Sequence, residues 1–582
     1  MEDYHEEGRN KKYPIWVSLE KTEEIIKQMK EKVCKIKVMN EKDGSGFFLK
    51  LKIRNQEIKL LITNNHVINE EILNTNQQIK LYINNNKYNI KLDNKMKYTS
   101  KKYDITLIEI NEDDEINCNY FNYKKIDTED LNSLYILHYP LNENVSASYG
   151  IIQYLKDINY QFIHYCSTID GSSGSPIINL ESKEEEVIGI HFGTRNNHNL
   201  GTFINYPIDE FIEQYEQNKL REFNEKYNLD IKFNATELDL SWRDLNFKKN
   251  FYYLPNLKEV KKLNLCGNLL SDISFLENLN LEKLEVLNLG CNKIQNIKIL
   301  ENINFKELKE LNLYQNGLSD ISFLENGKFK KLEILNLGEN KIQNIKILEN
   351  VNFKGLKKLN LERNYLSDIS FLENKNFEKL EVLNLGYNKI QNIKILENIN
   401  FKELKELNLE RNYLSDIFFL KNENFKKLEV LNLGENTMQN IKILENVNFK
   451  ELKKLCLVGN NLSDISFLEN LNFEKLEELY LSNNNIKNCK VLENVNFKGL
   501  KILDLGSNNI SNISFLENVK FEKLQELCLC NNKGIFNYNI LEKCNFQHLE
   551  ILDLSGNYNI PKNSFFEKLR MSKNLCIKRS TY

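Results

Sequence analysis

Asp170-Gly171-Ser172-Ser173-Gly174-Ser175-Pro176 is the stretch on which the reading of this chain turns. Glycines on either side of Ser172-Ser173 permit a tight loop whose backbone N–H groups converge on one point. Upstream, the apolar run Leu60-Leu61-Ile62 leads into Thr63-Asn64-Asn65-His66-Val67. Between these two, Tyr103-Asp104-Ile105-Thr106-Leu107-Ile108 opens a second apolar run on an aspartate, and Gly44-Ser45-Gly46-Phe47-Phe48 precedes all three. A histidine, an aspartate and a serine therefore follow one another at intervals of 38 and 69 residues.

Acyl transfer at neutral pH needs an activated hydroxyl, a base near neutrality, an orienting carboxylate and donors for the oxyanion. Ser173 supplies the hydroxyl, His66 the general base and then acid, and Asp104 the carboxylate. The N–H groups of Gly171 and Ser173 would form the oxyanion hole. Around them, residues 33–206 alternate short β-type runs with polar turns, at Val33–Val38, Gly46–Ile53, Ile58–Ile62, Ile79–Ile83, Ile105–Ile110, Leu134–His138, Gln161–Cys166, Pro176–Ile178, Val187–Phe192 and Gly201–Ile204. Many short strands at such spacing point to an all-β barrel or sandwich. Glu20–Lys32 reads as a short helix, and the charged run 208–228 as a terminal helix with a spacer.

These segments resemble trypsin-like serine proteases of the chymotrypsin superfamily, over roughly residues 33–215. The order His, Asp, Ser is that family's own. The resemblance implies two β-barrels. Within the superfamily the likeness is greatest to glutamyl endopeptidases, which carry a threonine or serine five residues before the nucleophile and a histidine in a later G-I-H-x-G strand. Thr168 and Gly189-Ile190-His191-Phe192-Gly193 match. By that resemblance, Thr168 and His191 would bind an acidic side chain on the acyl side of the cleaved bond. Ser172 stands where digestive members carry an aspartate that pairs with a newly cut N-terminus, so activation by that ion pair is not available. His138 and His164 read as strand residues.

From about residue 235 a repeat takes over, with the frame L-x-x-L-x-L-x-x-N. Its asparagine recurs every 24 residues from Asn268 to Asn532. A degenerate unit with Arg243 at the asparagine position precedes the array, and a unit one residue longer, at Asn557, follows it. The leucines of each coil, such as Leu308, Leu311 and Leu313, point into the stack, and a second buried ladder runs from Phe305 through Phe329 and Phe353 to Phe521. This resembles the leucine-rich repeat family over residues 235–565, which implies an α/β-type solenoid. Units with Asp-Ile-Ser-Phe-Leu-Glu-Asn mostly alternate with units of Asn-Ile-Lys-Ile-Leu-Glu-Asn, as tandem duplication would leave them. An asparagine stripe inside the strands (Asn264 to Asn432) reads as a solvated face made by duplication rather than a binding track.

The expected plan is a polar leader (1–32), a double-barrel trypsin-like domain (33–215), a helical spacer (216–234), the solenoid (235–565) and a basic tail (566–582). With 582 residues, 41% hydrophobic and 28% charged, the chain is globular and too long for one core. A net charge of -3 gives no global field for nucleic acid or a membrane surface. No apolar run approaches the roughly 18 residues of a membrane span, and the polar start is no secretory segment. The 11 cysteines are scattered, with only Cys528 and Cys530 close together, so no paired metal-ligand spacing emerges and no cofactor is expected. A reducing, cytoplasmic setting follows. The sequence thus reads as a serine endopeptidase whose repeats bind a protein substrate or an unidentified protein partner. The rival reading is a repeat scaffold with a vestigial protease domain.

Overall fold

The computed structural model describes residues 16–579 except 39–42, 54–55, 75–77, 126–130, 156–157, 196, 245–256, 326–328, 440, 448, 472, 545–546, 559 and 561–574. The first fifteen residues of the leader and most of the basic tail lie outside the described residues. The chain divides into two units, Met1–Asp230 and Ile231–Tyr582.

The first unit opens with helix α1 (Leu19–Glu31), capped by the Ser18 hydroxyl, which accepts the Lys21 N–H. The strands β1 (Val33–Lys37), β2 (Gly44–Ile53), β3 (Gln56–Thr63), β4 (Ile79–Ile83), β5 (Asn86–Ile90), β6 (Lys97–Ser100), β7 (Ile105–Glu109) and β8 (Phe121–Asn122) form one sheet. Its order is β5-β4-β1-β2-β3-β7-β6, with β8 on β2. A second set, β9 (Ser133–His138), β10 (Ser146–Tyr154), β11 (Gln161–His164), β12 (Pro176–Asn179), β13 (Val187–Arg195) and β14 (His198–Phe203), closes into a barrel. The first sheet differs from the expected barrel in that its end strands β5 and β6 are not paired with each other among the described residues.

The alternation of β2 decides how the sheets meet. Phe47, Leu49, Leu51 and Ile53 face a core shared with Tyr135, Leu137, Ile178 and Ile190 of the closed barrel. Phe48 faces the other way, into Cys34, Ile36, Leu61 and Leu81. The interior of the closed barrel is Leu134, Ile136, Phe162, Ile177, Ile188 and Phe203. After the short helix α2 (Glu70–Asn74), helix α3 (Asn205–Tyr227) begins three residues before the expected start and buries Phe211 and Tyr215 in the shared core. Its Leu220 and Phe223 are also buried.

Strands β5, β6, β8 and β10 carried no clear signal in the sequence. β5 is Asn-Lys-Tyr-Asn-Ile, polar enough to pass for a loop. The signal that could have found it is Asn84-Asn85, whose positive φ values (44° and 68°) form the two-residue hairpin turn joining β4 to β5.

In the second unit, fifteen three-residue strands among the described residues run parallel from Glu237–Asp239 to Cys576–Lys578, each in register with the next. Among the described residues the chain between strands follows short 3₁₀ turns such as Lys298–Glu301 and Lys346–Glu349 rather than helices of α type, with one short exception, α4 (Ile540–Lys543). A coil of 24 residues leaves little length for an α-helix, and 3₁₀ pieces suit such short connectors. Asp or Asn starts many of these turns: Asp320 Oδ1 accepts the Ser322 N–H and Asn344 Oδ1 the Lys346 N–H.

The repeat asparagine makes the same bonds from coil to coil. Asn340 donates its amide to the carbonyls of Leu313, Leu337 and Gly338, each at 3.0 Å, and its Oδ1 accepts the Leu318 N–H at 3.1 Å. One side chain thus ties two adjacent coils, satisfying buried backbone groups that would otherwise cost about 1–3 kcal/mol each. The preceding residue is held at positive φ, from Cys291 (54°) to Asn531 (53°), with glycine in that place at Gly267 and Gly459. The in-strand stripe has a structural use as well: Asn288, Asn312, Asn336 and Asn360 each accept the N–H two residues on. Of the tail, Cys576–Lys578 adds the last strand.

Candidate functional site

The loop carrying Ser173 connects β11 to β12 and is sewn to β2. The Ser45 N–H donates to the Ser173 carbonyl at 2.7 Å, and the Ser45 hydroxyl donates to the Gly171 carbonyl at 2.8 Å. Thr63 Oγ1 donates to the Ser45 carbonyl at 2.8 Å. Gly171 and Gly174 both sit at φ 91°, and a Cβ on Gly174 would lie 2.0 Å from the Ser45 carbonyl oxygen. Only glycine fits there, because both the conformation and the space forbid a side chain.

Within the loop, the backbone donors divide into two sets. Ser172 N–H reaches the Ile169 carbonyl, Gly174 N–H the His191 carbonyl and Ser175 N–H the Ser172 carbonyl. The N–H groups of Gly171 and Ser173 make no hydrogen bond among the described residues. Two unbonded donors two residues apart in a fixed loop are available to stabilise a developing negative charge. Ser172 is buried; its Oγ accepts the Ile169 N–H and lies 2.6 Å from His138 Nδ1. A neutral serine–histidine pair therefore closes the start of this loop.

His66 lies in the turn after β3, and Asp104 immediately before β7. Asp104 Oδ2 is 2.7 Å from His66 Nδ1, and Oδ1 accepts the His66 backbone N–H at 3.0 Å. The carboxylate thus grips both ring and backbone, which fixes the ring orientation and leaves Nε2 as the other ring nitrogen. Asp104 adopts φ 50°, an uncommon conformation for an aspartate. Its neighbours hold it there. Asn64 Nδ2 donates to the Asp104 carbonyl at 2.7 Å, Thr202 Oγ1 to the Tyr103 carbonyl at 3.0 Å, and Tyr103 Oη to Glu210 of α3 at 2.8 Å.

Gly44 measures the approach of these two parts. A Cβ there would stand 2.7 Å from Val67, next to His66, and 3.2 Å from the Ser173 carbonyl oxygen. His66 is exposed and Asp104 half-buried, with 41% and 23% of their side chains open to solvent. Among the described residues no hydrogen bond joins Ser173 Oγ to His66; in ligand-free sites such bonds are often long and tighten with substrate.

β13 runs along the other side of the loop: its His191 N–H donates to the Ser175 carbonyl at 2.9 Å. The register shifts between His191 and Gly193, and the space beside Gly193 is open, with nothing within 4 Å of where its Cβ would be. A bulge beside a cleft re-aims side chains. The His191 ring is buried, its Nδ1 3.0 Å from His164 Nε2, with the Leu200 carbonyl as a further partner. Burial first, then the nearby His138 and His66, pushes its pKa down to about 4. Burial also lowers His164 and His138. His164 Nδ1 is buried without a partner, which fits a proton on Nε2 donated to His191 Nδ1. Both rings are then neutral. Thr168 is half-buried in the loop before Ser173, and Ser167 exposed.

Sequence reasoning placed His138 and His164 only as strand residues, and they do lie on β9 and β11. What it lacked was the barrel register that brings both rings to the region behind Ser173. Ser45 was missed as well; its signal was the Gly44-Ser45-Gly46 run, a serine between two glycines at the start of a strand.

The family "Trypsin-like peptidase domain" matches residues 44–190, and "Leucine Rich repeats (2 copies)" matches residues 306–350 and 474–518. No curated protein matches the chain. Solved structures similar to it include an internalin, InlF, from Listeria monocytogenes, at 25% identity over 63% of this chain and 94% of that one, TM-score 0.44. The ectodomain of the Arabidopsis thaliana receptor kinase GASSHO1/SCHENGEN3 matches at 23% identity over 52% and 39%, TM-score 0.38. The Rv3671c protease of M. tuberculosis, in an inactive form, matches at 16% identity over 33% and 91%, TM-score 0.25. The chain thus carries an N-terminal trypsin-like β-barrel peptidase domain followed by a parallel-strand leucine-rich repeat solenoid. Among the described residues no helix is long and apolar enough to cross a membrane.

Proposed function

We propose that this protein is a serine endopeptidase that hydrolyses protein substrates through an acyl-enzyme. The observation that carries this is the His66–Asp104 pair, bonded at 2.7 Å, next to a serine loop with two unbonded N–H groups. Ser173 attacks the scissile carbonyl, and His66 Nε2 takes its proton and returns it to the leaving amine. Asp104 keeps the second ring nitrogen protonated. Gly171 and Ser173 donate to the oxyanion, and water then releases the acyl group. A fluorophosphonate probe tests the assignment: it should label Ser173 and spare Ser173→Ala. Failure to label the folded protein would favour the vestigial reading.

Cleavage after glutamate, and less so after aspartate, extends this proposal. Thr168 offers a hydroxyl and His191 an imidazole N–H. Because burial keeps His191 neutral near pH 7, it donates one N–H, without charge assistance. With a glutamate bound, that N–H turns from the Leu200 carbonyl to the carboxylate. A site that leaves buried donors unpaired rejects apolar side chains strongly. Peptide-library profiling decides: dominant cleavage after Lys, Arg or large apolar residues would remove the glutamyl preference and leave the endopeptidase standing.

The solenoid is assigned to recruitment of a protein substrate or partner. A chain ending at Asp230 should still turn over a small peptide ester and lose its preference among protein substrates. The eleven cysteines form no disulfide among the described residues, which suits a reducing compartment such as the cytoplasm.

A further inference from the structure

The concave strand face of the solenoid changes character near its C-terminal end. From Asn264 to Asn432 the middle outward position of every strand is asparagine; from there it becomes Cys456, Tyr480, Asp504, Cys528 and Asp553. The next outward position is also cysteine at Cys530. Parallel register puts Asp504 beside Cys528, and Cys528 beside Asp553. Residues 24 and 25 apart in sequence are thus lateral neighbours, a proximity that spacing along the chain does not show.

The donor atoms of Cys528, Cys530 and Asp553 all lie within 4.8 Å of one another, partly open to solvent. The two sulfurs are 3.2 Å apart. Gly506, in the coil before, leaves the space between them clear: a Cβ there would stand 2.6 Å from Cys530 Sγ, 3.1 Å from Cys528 Sγ and 3.2 Å from Asp504 Oδ1. Asp553 Oδ1 accepts the Ser555 N–H at 2.9 Å, which orients the carboxylate.

We propose that Cys528, Cys530 and Asp553 form a binding site for a zinc-class divalent cation, with water in the fourth position. Two thiolates and a carboxylate are a donor set that zinc accepts. Tetrahedral zinc with Zn–S bonds of about 2.3 Å sets the sulfurs about 3.7 Å apart, so the pair opens only slightly. Asp504 adds negative charge nearby, while Lys578 faces Asp553 from the last strand. A disulfide fits less well, because strand residues two apart have Cα atoms separated by about 6.6 Å, near the upper end of what a disulfide spans. Binding releases the thiol protons, as thiolate ligation requires. The ion would link the coils of Cys528 and Asp553.

The test uses the full chain, reduced with a metal-free phosphine and titrated with Co²⁺ and then Zn²⁺. One equivalent of Co²⁺ should give thiolate-to-cobalt charge-transfer absorption, displaced by one equivalent of Zn²⁺, with proton release on binding. Cys528→Ser/Cys530→Ser should abolish the band, and Asp553→Asn should weaken binding by about 10-fold or more. Gly506→Ala keeps every ligand and crowds the space, so it should weaken binding with the urea midpoint little changed. No charge-transfer band, or a band that survives the double variant, would overturn the proposal. So would air oxidation joining Cys528 to Cys530 while bound Zn²⁺ gives no protection.

Discussion

The two units of this chain specify structure in opposite ways. In the solenoid the same bonds recur: Asn292, Asn340 and Asn388 each donate to a leucine carbonyl one coil back at 3.0 Å. In the barrel unit nearly every important position is singular. Gly174 has Ser45 and Thr63 to avoid, Asp104 one conformation it must hold, and Ser45 one loop it must tie. Repetition spreads the loss of one residue over many equivalents, whereas a singular site has none. Substitutions should therefore be all-or-none for activity in the first unit and graded for stability in the second.

The sharpest contrast is Ser173→Ala, expected to lower peptide turnover by three orders of magnitude or more while thermal unfolding is unchanged. Turnover within tenfold of the parent would dissolve the distinction. Gly174→Ala is next. Its Cβ must displace the Ser45 carbonyl, so the loop moves, and loss of a single oxyanion donor costs about 10²–10³-fold in kcat. A crystal structure of that variant with an undisturbed loop and full activity would contradict the steric account.

Acid should separate the units by stability. His191 has a folded pKa of about 4, below its ordinary value near 6.5, so the unfolded chain takes up its proton first. The stability due to neutral His191 is complete above pH 6.5 and lost progressively as pH falls to about 4, by roughly 3 kcal/mol in total. His164 shifts the same way and adds to it. The second unit has one histidine, His548. Urea unfolding at pH 7 and pH 4.5, followed by hydrogen exchange, should show barrel strands losing protection before repeat strands; equal losses would remove histidine burial as the cause.

Within the solenoid two substitutions set the scale. Asn388→Ala removes donors to Leu361, Leu385 and Gly386 and the acceptor for Leu366, and should cost about 2–3 kcal/mol by urea denaturation. Lys331→Ala removes one of the ion pairs that bridge coils at an interval of 24, the Lys331–Glu307 pair at 2.6 Å. Both side chains are about half exposed, so the expected loss is below about 0.5 kcal/mol. A lysine effect as large as the asparagine effect would mean that the surface ladder, not the buried one, holds the stack.

The repeat could be read almost completely because its period appears in the residues themselves. The barrels were legible where strands are apolar, as in β3 and β7, and obscure where they are polar, as in β5 and β10. His66 and Asp104 stood out because each adjoins an apolar run that becomes a strand. The bonds that position them, from Asn64 and through Tyr103 to Glu210, join residues 40 and 107 apart and follow only from the folded register. The His164–His191 contact was hidden for the same reason: two strands must pair with a third before the rings meet.

The asparagine ladder also bears on how long this molecule can be. Each rung meets the same carbonyls whichever copy lies behind it, so removing or adding a 48-residue pair rejoins like with like. Strands in a parallel sheet stack about 4.8 Å apart, so each such event changes the reach of the array by a fixed increment of about 10 Å. Copy number can vary between relatives without any new interface having to arise, and reach becomes a quantity that unequal recombination can tune in whole steps.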